Sequence, residues 1–155
     1  MDFVFRPAAP AEYADVERVL RAAFTSYMRR LGREIPPDYY DERLPATIER
    51  GDVFVADEAG RIVGVAQTER RDTGLYLDRL AVDPAKQGSG LGGWLLVRLE
   101  EVARSRGDRT MSLQTAEMMD HLLRLYSRHG FEIVSRGVPD HGKDLHIRVH
   151  MVKPL

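Results

Sequence analysis

The sequence predicts a mixed α/β domain whose sheet is mostly antiparallel. Three observations lead there. Between Asp52 and Val82, apolar residues alternate in three runs separated only by short turns, the signature of consecutive antiparallel strands. Further on, two helical stretches each follow a strand and lead into another, as α/β crossovers do. The chain has 155 residues, 43% hydrophobic and 30% charged, enough to bury roughly 70% of its extended surface around one core. Residues 1–155 read as one domain, without repeat, linker or low-complexity tail.

In order, residues 2–7 (DFVFRP) alternate and stop at Pro7, which predicts an opening strand. Val16, Leu20 and Phe24 recur at helical spacing within a helix expected over about 11–24. From Ser26 to Pro37 the pattern is ambiguous: Tyr27, Met28 and Leu31 could extend or restart a helix, which Gly32 and the Pro36-Pro37 pair break. A short helix is expected over 38–50, broken or tilted at Pro45. Strands follow at 52–57, 61–70 and 75–82, turned by Glu58-Ala59-Gly60 and Asp72-Thr73-Gly74. Asp83-Pro84 stops the third. A helix then carries Leu91, Leu95, Leu99 and Val102 on one stripe and ends near Gly107. The remainder reads as a strand at 110–114, a helix at about 117–129 capped by Gly130, a strand at 131–136, a turn around 139–142 and a last strand at 144–152.

With 23 basic and 24 acidic residues, the formal charge is -1, which argues against a nucleic-acid partner, since that needs a basic surface. No cysteine is present, which removes disulfides, thiolate metal sites and cysteine nucleophiles. His141, His146 and His150 lack a well-placed third partner, so no metal is expected. The acidic start and the lack of a long apolar run speak against a signal peptide or a membrane span, leaving a cytoplasmic protein as the expectation.

The sharpest local signal is Gln87-Gly88-Ser89-Gly90-Leu91-Gly92-Gly93, set between a strand and a helix. Glycines let the backbone turn tightly and bare its N–H groups. A helix start adds unpaired donors and the positive end of its dipole. The combination suits an anion such as a pyrophosphate, with Lys86 or Gln87 as a further donor. A nucleotide-hydrolysing loop needs Lys-Ser or Lys-Thr after its glycines, and a dinucleotide fold needs a different glycine spacing on a parallel strand. A solvated helix cap that binds nothing is the plain alternative.

The segment Gln87–Gly92 also fits [QR]-x-x-G-x-[GA], and with Leu80-Ala81-Val82-Asp83-Pro84 before it and Leu125-Tyr126-Ser127-Arg128-His129-Gly130-Phe131 after it, the chain resembles the GNAT family of acyl-CoA-dependent N-acyltransferases. The order of elements agrees from Phe3 to about Val152. The resemblance implies acetyl-CoA as co-substrate. It implies that the strand at 80–82 splays from its parallel neighbour, with backbone groups of Leu80 and Val82 pairing with the pantetheine arm. The N–H groups of Gly88, Gly90, Gly92 and Gly93, with Gln87, Ser89 and Leu91 in the same turn, would hold the pyrophosphate. The N–H of Leu80 or Ala81 would polarise the thioester carbonyl. Met119 occupies the position of a cofactor-contacting Asn in many members; the chain contains no Asn.

By the same resemblance, Tyr126 protonates the departing CoA sulfur, as a phenol is suited to do; a packed, purely structural tyrosine is the alternative. Asp78 and Glu69 are candidates for accepting the proton of an ammonium substrate, or else surface charges paired with Arg70, Arg71 or Arg79. Neither Ser89 nor Ser127 shows a His–acid relay, so transfer is expected directly from acetyl-CoA to a primary amine, with no covalent enzyme intermediate. A non-catalytic CoA-sensing module of the same fold is the second reading. Tyr27, Tyr39 and Tyr40 lie where the family's acceptor pocket forms, or else are a hydrophobic anchor between two short helices; Arg29, Arg30 and Arg33 form a small basic run that would meet an acceptor carboxylate or be solvated. Trp94 reads as packing at the edge of the helix stripe, and His121 as a minor site candidate. The acceptor is expected to be a small-molecule or peptide amine, with no membrane partner. The chain is expected as monomer or homodimer, its exposed final strand offering an edge.

Overall fold

The computed structural model describes residues 2–155; Met1, which the expected domain span of 1–155 includes, lies outside them. Strands are β1 (Val4–Pro7), β2 (Val53–Glu58), β3 (Arg61–Arg71), β4 (Gly74–Val82), β5 (Thr110–Ala116), β6 (Glu132–Gly137) and β7 (Arg148–Pro154). Helices are α1 (Tyr13–Arg30), α2 (Leu44–Glu49), α3 (Leu91–Ser105) and α4 (Asp120–Arg128), with single 3-10 turns at Pro10–Glu12 and Pro84–Lys86. The expected order of strands and helices is observed. The sheet runs β1-β2-β3-β4-β5-β7-β6. β1–β2, β2–β3, β5–β7 and β6–β7 pair antiparallel, and β4–β5 pair parallel. This is a mixed, mostly antiparallel sheet with helices, as the sequence predicts.

The chain divides into two compact units. The first runs to Thr68 and resumes from Arg79 to Leu95; the second comprises Glu69–Asp78 and Leu96–Leu155. In the first, Val16, Val19 and Leu20 of α1 and Leu44 and Ile48 of α2 share a core with Val53, Val55, Ile62, Val65 and Ala81. A second cluster joins Ala56 and Val63 to Leu91 and Leu95 of α3, with Phe3, Phe5, Leu80, Val82 and Trp94 around them. Gly64 permits this approach: a Cβ there would lie 3.0 Å from Leu95 and 3.3 Å from Leu91. The second unit buries Leu75, Leu77, Leu99, Met111, Leu113, Val149 and Met151. The register puts Leu113 opposite both Leu77 and Met151, so one apolar row crosses three strands.

α1 takes the extension that Tyr27, Met28 and Leu31 allow and runs to Arg30, where Gly32 at φ +74° ends it. Three expectations need correction. Pro45 does not break a helix over 38–50; it sits in the first turn of the short α2, where a missing N–H costs nothing. The segment 144–147 is not strand, because Asp144 folds back on Arg148 in a nearly buried two-pronged ion pair (2.9 and 3.0 Å). Nor is the last strand the open edge: β7 lies between β5 and β6, and β6 is the terminal strand.

Candidate active site

The first unit holds the glycine turn. Asp83 ends β4, the 3-10 turn Pro84–Lys86 follows, and Gln87–Gly90 lead into α3. Gly88 and Gly90 have φ of +82° and +83°, and open space lies where a Cβ would be. These glycines are required by conformation rather than crowding. The N–H of Ser89 bonds to Lys86 (3.2 Å) and that of Trp94 to Gly90 (3.0 Å). Among the described residues, no acceptor takes the N–H groups of Gly88, Gly90, Leu91, Gly92 or Gly93. The Ser89 hydroxyl oxygen is hidden from solvent and has no hydrogen-bond partner. Five bare N–H groups and one unpartnered hydroxyl at the start of a 15-residue helix suit a multiply charged oxyanion.

Neighbouring charges are already committed. Lys86 is bound to Glu58 at 2.6 Å, so it is not the free donor the sequence suggested. The Asp83 carboxylate accepts the N–H of Ala85 (3.0 Å) and faces Arg18 (3.2 Å) and Arg61 (3.6 Å). That N–H first, then the two guanidiniums, hold its carboxyl below the usual carboxylate range against the opposing effect of burial. Sequence reasoning treated Asp83 only as a strand stop. The available signal was an acid directly before a proline at a strand end, the pattern of a capping residue. Leu80 and Val82 pack toward Leu91 and Leu95, while Ala81 is buried among the α1 and α2 side chains. Trp94 meets Phe3 edge-on at 5.4 Å, a packing role as expected.

Tyr126, Asp78, Glu69 and Met119 all belong to the second unit. The L-Y-x-x-x-G-F spacing has a local cause. α4 ends at Arg128, and Gly130 takes φ +92°. The N–H groups of His129 and Phe131 both donate to the Tyr126 carbonyl (3.0 and 3.1 Å). This folds Phe131 back, edge-on to the Tyr126 ring at 5.9 Å. Tyr126 is buried, 6% exposed. Met119 precedes α4, is fully buried, and presents no amide. The β4–β5 ladder ends at Leu77–Leu113, directly before Asp78.

Asp78 and Tyr76 share one face of β4. Burial first, and the Asp78 charge next, push the Tyr76 phenol up. Arg71 lies 3.5 Å over the Tyr76 ring and is 3.2 Å from Glu69, whose side chain is 45% exposed. Of the arginines the sequence offered as partners for Glu69, Arg71 is in contact with it. Arg79 donates to Gln67 (3.1 Å) and to the Tyr39 hydroxyl (2.9 Å).

Of the two readings of the N-terminal tyrosines, Tyr40 takes that of a hydrophobic anchor. Tyr40 is 3% exposed within the α1–α2 core, its hydroxyl has no partner, and burial pushes its phenol up to about 12. It anchors the fold rather than walling an open pocket. Arg21 stacks on it and donates to the Pro36 and Pro37 carbonyls, pinning that loop. Arg29 pairs with the exposed Glu34. Among the described residues, no group of three or more His, Cys, Asp or Glu side chains is arranged to hold a metal ion. No helix among them is long and apolar enough to cross a membrane.

A model of the Acetyltransferase (GNAT) family matches residues 16–131, well over half of the sequence. The chain belongs to the GNAT family. Over the whole GNAT chain, the fold is similar to the PaiA N-acetyltransferase of Thermoplasma acidophilum, solved with coenzyme A (TM-score 0.82, 18% identity, 100% of each chain). It is also similar to YncA of Salmonella typhimurium, a putative acetyltransferase solved with acetyl-CoA (TM-score 0.77, 23% identity, 100% of this chain and 95% of that one). At these identities the likeness concerns the fold. In sequence, 136 residues are 28% identical to the spore coat polysaccharide biosynthesis protein SpsD of Bacillus subtilis, covering 82% of this chain and 47% of that protein. The chain therefore spans about half the length of that curated relative.

Proposed function

We propose that this GNAT chain, acting as one domain, transfers the acetyl group of acetyl-CoA directly to a primary amine of a small molecule or peptide. The observation that carries the reading is the turn of bare N–H groups with the hidden Ser89 hydroxyl, which fits a pyrophosphate. Acetyl-CoA supplies an activated thioester; the chain's residues bind, orient and move protons. Gly88, Gly90, Gly92 and Gly93 would hold the diphosphate through N–H groups that need no reorganisation. The N–H of Leu80 or Ala81 would draw charge onto the thioester oxygen. Asp78 or Glu69 would take the proton an ammonium must lose, directly or through water. Tyr126 would give its phenolic proton to the sulfur as the C–S bond breaks. The second reading, a CoA-binding sensor, would use the turn alone.

The test is titration calorimetry of the purified chain with acetyl-CoA and CoA. Micromolar binding that falls by at least tenfold in Gly90→Glu is the expected result; a Cβ there meets no atom within 4 Å, so the added charge and the strained φ are the expected causes. Absence of binding by the folded wild type would overturn the reading.

A further inference from the structure

The residue with the most attachments around the glycine turn lies just ahead of it. Asp83 donates its N–H to the Val63 carbonyl (2.8 Å), tying the end of β4 to β3. Its carbonyl accepts the N–H of Lys86 (2.7 Å), and its carboxylate accepts that of Ala85 (3.0 Å). The other carboxylate oxygen faces Arg18 of α1 and Arg61 of β3. Arg18 also donates to the Ile62 carbonyl (2.9 Å), so α1 and β3 are clamped to the residue that starts the turn. The residue is buried, 8% exposed.

We propose that Asp83, with Arg18 and Arg61, is a positioning device that sets the direction of the turn's N–H groups and keeps its surroundings favourable to an anion. This rests on the reading of Gln87–Gly93 as a pyrophosphate site. Two demands meet in Asp83. A turn with left-handed glycines at 88 and 90 has many accessible conformations, and anchoring the residues that lead into it reduces their number before ligand arrives. A carboxylate so near an anion site would repel the ligand, and the two guanidiniums cancel that charge. With Lys86 held by Glu58, the local set has three cations against two anions, one net positive charge. Binding then relies on oriented backbone dipoles rather than a mobile lysine.

The test compares two probes, CoA and S-acetylpantetheine, which lacks the pyrophosphate. In Asp83→Ala, CoA affinity should fall about tenfold, the equivalent of one lost cap. Binding of S-acetylpantetheine, followed by backbone amide shifts of Leu80 and Val82, should change less than about twofold. Asp83→Asn keeps an acceptor for Ala85 and loses only the charge; it should fall by a smaller factor, and Arg18→Gln should weaken CoA in the same sense. Unchanged CoA affinity in folded Asp83→Ala and Asp83→Asn would overturn the positioning role while leaving the acyltransferase reading intact. Equal losses for both probes would overturn it too, because a general loosening would then be the cause. A wild type that binds neither probe would overturn both.

Discussion

Tyr126 is placed by its backbone as much as by its ring. The same carbonyl that ends α4 brings Phe131 against the phenol, so the aromatic pair is rigid and the hydroxyl alone is chemically variable. Removing that hydroxyl in Tyr126→Phe should keep the ring contact and the stability. If Tyr126 is the acid, the rate of thiol release should drop about 100-fold or more while acetyl-CoA affinity holds. An unchanged rate with any amine that is acetylated would favour the tyrosine as packing. Glu12 offers a different residue-level expectation. Arg6, then the Ala9 N–H, hold its carboxyl down at about 2. A carboxyl depressed on folding contributes stability above the unfolded value near 4.3, lost as pH falls toward about 2. Glu12→Gln should therefore flatten the fall in melting temperature between roughly pH 4.5 and 2, read by thermal melts across that range.

At the scale of elements, β4 meets β5 through a glycine that nothing else can replace. Gly74 has φ +148°, and a Cβ would lie 2.0 Å from the Thr110 carbonyl oxygen, which is backbone and cannot step aside. Gly74→Ala should cost about 2 kcal/mol or more, through clash and dihedral strain together, with a matching drop in the denaturant midpoint. A cost below about 0.5 kcal/mol would mean that the strands separate there cheaply. The turn Ala59-Gly60 between β2 and β3 is the opposite case: both residues have positive φ (51° and 88°), as a tight hairpin requires, and both lie at an exposed tip. Alternation and turn residues made β2, β3 and β4 legible to within a residue or two. Tyr27, Met28 and Leu31 left a continuation of α1 past Phe24 open, but Thr25 and Ser26 dilute the apolar stripe, so the sequence did not choose between one helix and two.

For the whole molecule, ligand linkage gives a simple expectation. A co-substrate that binds only the folded chain, at a hundred times its Kd, adds about 2.7 kcal/mol of stability. In a chain of this length that corresponds to a rise of roughly 5–10 °C in melting temperature with acetyl-CoA. The rise should be smaller in Gly90→Glu, and a zero shift in the wild type would contradict the proposed co-substrate.

What the sequence by itself determined is what rests on local rules: the order of strands and helices, the hairpins, the tight glycine turn before α3, and the L-Y-x-x-x-G-F helix end. Each depends on residues within a few positions of one another, where φ preferences and capping act directly. Only the tertiary structure decided that β7 is interior and β6 the edge, that Tyr40 is core, that Lys86 is spent on Glu58, and that Asp83 gathers Arg18 and Arg61. Those outcomes join residues as many as 65 positions apart, as Arg18 and Asp83 are. No periodicity or spacing encodes such a pair, because the partner of a charge is chosen by how the strands and helices pack, and many arginines were available to choose from.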